Sequence, residues 1–220
     1  MIELFLDHAD RDLILPLLRT GEYKGVTSNP EIMNVNGVGP DNVREFAADV
    51  FEAGAEVLCM QAWGLESDVM YDAGKKLASV DDRVIVKVPW TLEGRKAGLR
   101  LIADDIPVLA TAVLTIPQVI SAQAAGVTAL SPYLDSMERV YGNSLQTLDT
   151  MAKIEGPGRM VVADVHSPSR IAQVFDLGIY GVTTEPEALV AMCDVPSALE
   201  AAERFEGFNR DSDWQGSWKS

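Results

Sequence analysis

The strongest constraint on this chain is an alternation. Eight short apolar runs recur along it, separated by segments whose apolar residues return at helical spacing. The runs are Leu4–Asp7, Gly25–Ser28, Val57–Trp63, Val84–Pro89, Val108–Leu114, Ala129–Tyr133, Met160–His166 and Gly181–Thr184. Runs this short and this apolar suit strands of a parallel sheet, whose two faces are both covered. Helical patterns lie between them at Asp41–Ala55, Glu66–Leu77, Gly94–Ala103, Ile116–Ala125, Asn143–Ile154 and Ser169–Asp176. Asp41, Asn143 and Ser167 suit N-caps, and Gly54, Gly126 and Gly178 suit helix stops. Pro16 inside Asp10–Leu18 is expected to kink the first helix or to begin a second turn. Eight pairs in 220 residues leave about 27 residues per unit, near the minimum for a strand, a helix and two short loops. The expected class is therefore α/β, a single (β/α)8 TIM barrel spanning residues 1–220. A further helix, Ser197–Phe205, and a tail occupy 196–220.

Alternation alone also permits a doubly wound open sheet. The count of eight favours closure, and so does the recurrence of polar residues where the apolar runs end. Asp7, Asn29, Gln61, Lys87, Thr111, Tyr133, Asp164 or His166, and Thr184 hold those positions. A barrel gathers its active site at that end.

Composition narrows the function. Thirty-three acidic against 18 basic residues give a net charge of −15, a field that repels a phosphate backbone, so nucleic acid is not an expected partner. No apolar run approaches the roughly 18 residues of a spanning helix, so no membrane partner is expected. Met1-Ile2-Glu3-Leu4 lacks the basic and apolar regions of a secretory leader, which points to the cytoplasm. Cys59 and Cys193 stand far apart in apolar settings and suit small buried hydrophobes. His8 and His166, the only histidines, are too few and too far apart for a zinc site, and no metal or cofactor is expected. Gly37-Val38-Gly39-Pro40 lacks the lysine of a phosphate loop, and no Gly-x-Ser-x-Gly elbow occurs.

One residue breaks the apolar pattern with chemical consequence. Lys87 sits in Val84-Ile85-Val86-Lys87-Val88-Pro89-Trp90, apolar for three residues on either side. An apolar setting disfavours the ammonium, and a neutral amine held there is what imine chemistry on a carbonyl requires. The alternative is a buried ion pair without chemistry, with Asp7 as the partner.

Leu6-Asp7, Gly25-Val26-Thr27-Ser28-Asn29-Pro30, Val86-Lys87-Val88-Pro89 with Thr91 and Gly94, Thr111-Ala112-Val113 and Ser131-Pro132-Tyr133 together resemble the transaldolase family. The similarity is greatest to its small fructose-6-phosphate aldolase branch. It implies a cofactor-free Schiff-base enzyme acting on a small ketose or aldehyde, with Lys87 forming the imine and Asp7 assisting proton transfer. Asp7 could also cap the first helix, although Asp10 is better placed for that. Asn29 matches a residue that hydrogen-bonds the donor hydroxyls and would equally lock its own turn. Gln61, Thr111 and Tyr133 match positions that hold a water for the proton steps. True transaldolases typically carry glutamate and phenylalanine at the first and last of these, so Gln61 and Tyr133 lean toward an aldolase. Thr27 and Ser131 match positions lining the donor.

The resemblance fails where the sugar phosphate should bind. The family's arginine and serine are here Ser136 and Asp164, which removes attraction and adds repulsion for a dianion. A neutral, polyhydroxylated or otherwise modified acceptor is favoured, with Asp164 able to receive acceptor hydroxyls. Arg139, Arg170 and His166 leave a relocated anion site open, and Asp164 could instead serve as partner to one of them. Asp213-Trp214-Gln215-Gly216 also resembles the aldolase branch, which implies a homo-oligomer, with a decamer among the candidates, joined through the C-terminal tail and its Trp214 and Trp218. Two alternatives stay open: a transaldolase with an atypical acceptor, and a sugar-binding barrel without catalysis.

Overall fold

In the computed structural model, which describes residues 2–155 and 159–210, eight parallel strands alternate with helices along the chain. The strands are β1 (Glu3–Asp7), β2 (Tyr23–Thr27), β3 (Val57–Gln61), β4 (Val84–Pro89), β5 (Val108–Val113), β6 (Ala129–Pro132), β7 (Val161–Val162) and β8 (Gly181–Thr184). Their order is β6-β5-β4-β3-β2-β1-β8-β7, and two further parallel bridges, Leu130 to Met160 and Tyr133 to Ala163, join β6 to β7. Those bridges turn the open order into a ring, so the structure is a (β/α)8 TIM barrel and not the doubly wound alternative.

The seam between β6 and β7 is thin for a reason in the sequence. The Pro132 carbonyl accepts from the Ala163 N–H at 2.9 Å, but proline has no N–H to return to β7. Asp164, with φ +58°, then turns the chain out of the strand.

Helices α1 (Arg11–Leu18), α2 (Pro30–Val35), α3 (Val43–Glu52), α4 (Ser67–Ala78), α5 (Leu92–Ala103), α6 (Ile116–Ala125), α7 (Leu134–Tyr141), α8 (Ser144–Glu155), α9 (Pro168–Asp176) and α10 (Pro186–Val190) follow the strands, and α11 (Pro196–Arg210) comes last. Pro16 lies within α1 without dividing it. In so short a helix proline removes a single ladder bond, while Asp10 caps the start and Ile14 and Leu18 hold the buried face. Ser167 caps α9 as expected, but the N-cap position of α3 is Asn42 rather than Asp41. Gly126 closes α6 in the left-handed conformation. The short α2, α7 and α10 have no counterpart among the periodic segments.

Two layers of packing follow from the strand alternation. Leu6, Val26, Leu58, Met60, Val86, Val88, Ala110, Leu130, Val162 and Val182 face the helices and join one continuous apolar core. Phe5, Cys59, Leu109, Val161 and Ala163 are also buried but fall outside that core, filling the barrel interior. Cys193, by contrast, is exposed, correcting the expectation that both cysteines are buried. It lies in the irregular stretch after α10, where no packed layer covers it.

Candidate active site

The same alternation sends Asp7, Thr27, Gln61, Lys87, Thr111 and Ser131 inward at the C-terminal ends of their strands, with Tyr133 just beyond β6. Lys87 is 2% exposed between Val86 and Val88, which anchor β4 to the helix-side core. Among the described residues it forms no ion pair and no hydrogen bond, so the buried Lys87–Asp7 pair does not exist. Asp7 instead accepts a hydrogen bond from Thr27 Oγ1 at 2.6 Å. Thr27 has one proton to give, so the 2.6 Å contact between the Thr27 and Thr183 hydroxyls is donated by Thr183. A relay of hydroxyls therefore ends on the Asp7 carboxylate. Burial above all pushes the Cys59 thiol up, opposed by Lys87 and helped by Asp7, to about 12. It stays a thiol and is unreactive.

On the opposite arc, Thr111 Oγ1 donates to the Tyr133 hydroxyl at 3.1 Å. A bulge in β5 makes this pairing possible. The register shifts between Ala110 and Val113, Ala112 sits at φ +52°, and the extra residue returns Val113 to the helix-side core while Thr111 stays inward. Gln118 fixes the bulge, accepting from the N–H groups of Leu114 and Thr115 at 2.9 and 3.0 Å and donating to the carbonyls of Trp90 and Ala112 at 3.0 and 3.3 Å. Gln61 lies beside Lys87 in the β3–β4 ladder and makes no side-chain hydrogen bond among the described residues. Ser131 Oγ is buried and likewise without a partner there. Asn29 caps α2, its Oδ1 accepting from the Ile32 N–H at 2.9 Å, so its turn-locking role is real.

The rim over β6, β7 and β8 is organised differently. Asp164 Oδ2 accepts from the Ser136 N–H in the first turn of α7 at 2.6 Å, and Oδ1 lies 2.9 Å from His166 Nε2. His166 Nδ1 meets the Glu185 carboxylate at 2.9 and 3.1 Å. Burial works against the Asp164 charge, but the bonds from Ser136 and His166 outweigh it and hold the carboxyl below its ordinary value. Burial likewise opposes charge on His166, yet Asp164 and Glu185 raise it above its ordinary value. Asp164 thus takes His166 as its partner and not an arginine. Arg170 pairs with Asp135 at 2.8 Å, and Arg139 donates to Ser136 Oγ at 2.9 Å.

Thr184 departs from expectation. It pairs with the helix-facing Leu6, and its hydroxyl bonds the Val165 carbonyl, so it does not enter the interior. Thr183, one residue earlier, does. Period-two counting along β8 would have found Thr183, whereas nothing local in the sequence marks Glu185 as the partner of His166. Trp214 and Trp218 lie outside the described residues.

With this geometry in view, the comparisons with known proteins are specific. The model of the Transaldolase/Fructose-6-phosphate aldolase family matches residues 4–169. The chain belongs to that family. Proteins named "Probable transaldolase" from Streptococcus pyogenes serotypes M5 and M49 are each 27% identical over 194 residues, covering 86% of this chain and 89% of theirs. Among solved structures, a thiamine phosphate pyrophosphorylase from Pyrococcus furiosus superposes with TM-score 0.55 at 14% identity, over 84% of this chain and 85% of that one. A mandelate oxidase mutant gives TM-score 0.59 at 14% identity, over 83% and 65%. These two share the fold alone. Family membership makes the protein an enzyme of the aldolase/transaldolase type, and no described helix is long and apolar enough to cross a membrane.

Proposed function

We propose that the protein is a class I aldolase that cleaves and forms ketoses through an imine on Lys87, with a dihydroxyacetone-type donor. The observation carrying this reading is a lysine buried in β4 that forms no ion pair among the described residues. A lysine buried in the barrel mouth and tied up in no ion pair or hydrogen bond has its nitrogen free to attack a substrate carbonyl. In the cleavage direction Lys87 Nζ adds to the ketose carbonyl, and loss of water from the carbinolamine gives the iminium. A base removes the proton of the hydroxyl on the carbon β to the iminium, that carbon becomes the carbonyl of the released aldehyde as the α–β carbon–carbon bond breaks, and the electron pair passes into the enamine. Protonation of the enamine and hydrolysis return dihydroxyacetone and the free lysine.

Asp7, backed by Thr27 and Thr183, is the proposed base for the hydroxyl proton. Tyr133 and Thr111, already bonded to each other, move protons to and from water during imine formation and hydrolysis, with Gln61 completing that water's site. Ser131, the Asn29 amide nitrogen and Thr27 take donor hydroxyls. The phenol at Tyr133 favours release of the donor to solvent over its passage to a second sugar. Product analysis tests this: a ketose cleaved without added aldehyde should yield free dihydroxyacetone. Turnover only with a second aldehyde would instead make the enzyme a transaldolase. No turnover and no imine with any ketose would leave the sugar-binding barrel.

The enzyme also assembles through its C-terminal segment in this proposal. From Pro196 through Phe208 no residue of α11 is buried, and Leu199, Phe205 and Phe208 are 61%, 61% and 69% exposed. A helix with such a face requires a partner surface. Light scattering of the chain shortened to end at Phe208 tests the contribution of the tail; a mass equal to that of the full chain would count against it.

A further inference from the structure

The rim beside Tyr133 carries the second half of the specificity, and the inference here rests on the aldolase reading above. Its main-chain and imidazole donors are already taken. The Ser136 N–H is bound to Asp164, and His166 meets Asp164 through one ring nitrogen and Glu185 through the other. Arg170 is engaged by Asp135, by Ser144 Oγ at 3.1 Å and by Gln173 at 3.1 Å. Arg139 lies on the exposed side of α7, bonded to Ser136 Oγ. Beside the Ser136 hydroxyl and the exposed Arg139, the rim presents the Asp164 and Glu185 carboxylates, whose oxygens only accept. A phosphate dianion also only accepts, and it would meet Asp164 where the helix N-terminus is already filled by a carboxylate of the chain itself. Hydroxyl groups donate, and they match.

We propose that Asp164, held by Ser136 and His166 and backed by Glu185, selects acceptor aldehydes whose far end carries hydroxyls and no phosphate, so that the ketose processed is an unphosphorylated sugar. Asp164 is kept in place at a cost the fold accepts, since it adopts φ +58°, a conformation that favours glycine and that aspartate and asparagine tolerate better than other side chains. Glu185 lies beyond the residues matched by the family model, so the anchor of His166 belongs to the part of the chain that match does not describe.

The test is the rate of carbon–carbon bond formation from dihydroxyacetone with glyceraldehyde against glyceraldehyde 3-phosphate, and with erythrose against erythrose 4-phosphate. Wild type is compared with Asp164→Asn, which retains an acceptor for the Ser136 N–H and tolerates the left-handed backbone while losing the charge. Borohydride trapping of dihydroxyacetone on the same samples reports the imine separately. The expected result is a preference of at least about tenfold in kcat/KM for each unphosphorylated aldehyde, shrinking by about tenfold in Asp164→Asn. Equal or better use of the phosphorylated aldehydes by wild type, or use of none of the four, with trapping intact, overturns the acceptor assignment and leaves the aldolase reading standing. A ratio unmoved in Asp164→Asn overturns the role of Asp164. Absence of trapping removes the aldolase reading and this inference with it.

Discussion

The inner pocket and the outer rim of the barrel mouth treat their polar groups in opposite ways. Inside, Lys87, Gln61 and Ser131 make no side-chain hydrogen bond among the described residues, and Lys87 and Ser131 are buried, where an unmet polar group is costly. At the rim, Asp164, His166, Glu185 and the Ser136 N–H satisfy one another completely enough to need nothing from outside. An incomplete set of partners marks where substrate finishes the structure. A completed set marks where the protein has fixed the charge that substrate must complement.

Substitutions can break this contrast. Lys87→Met should have the largest effect, lowering kcat/KM by at least about 10⁴-fold in a ketose-cleavage assay, since the nucleophile itself is gone. Tyr133→Phe should lower kcat by about 10²–10³-fold, the range for losing one positioned acid–base group, with a smaller change in KM. Asp164→Ala should destabilise the fold by about 1–3 kcal/mol in urea, because it strands the Ser136 N–H and one face of His166. Lys87→Met should move stability the other way, raising it by about 1 kcal/mol, since methionine replaces an amine that has no partner to lose. A destabilised Lys87→Met, or an unchanged Asp164→Ala, would erase the difference between the two regions.

The smallest expected effect is a pH slope. His166 is raised above its ordinary 6.5 by Asp164 and Glu185, against the opposing pull of burial. Its contribution to stability is complete below about pH 6.5 and is lost as the pH climbs through the raised folded-state value. The ring is half exposed, so solvent screening keeps the contribution to a few tenths of a kcal/mol. Urea midpoints between roughly pH 6 and pH 9 should fall slightly in wild type and stay level in His166→Gln, after correction for the slope common to both.

How far the sequence carries this picture differs between the two regions for the same physical reason. The barrel and its inner ring are written in strand periodicity, a local signal: Lys87 stands out because six neighbours are apolar, and the inward positions follow by counting in twos. Counting fails where the backbone departs from regularity. The β5 bulge at Ala112 reverses the alternation, and Pro132 and the left-handed Asp164 shorten the seam, so β7 is far briefer than its apolar run. The rim is non-local. His166 and Glu185 are 19 residues apart, and Ser136 and Asp164 are 28 apart, joined only after the ring closes. Ser136 and Asp164 stand out as departures from a family pattern, but their bond to each other does not.

The central claim is that Lys87 is the imine-forming amine, and intact mass after borohydride reduction with dihydroxyacetone tests it most directly. One reduced three-carbon adduct per chain in wild type, mapped to the peptide containing Lys87 and missing from Lys87→Met, is the predicted result. An unmodified wild-type chain, or an adduct that persists in Lys87→Met, would contradict it.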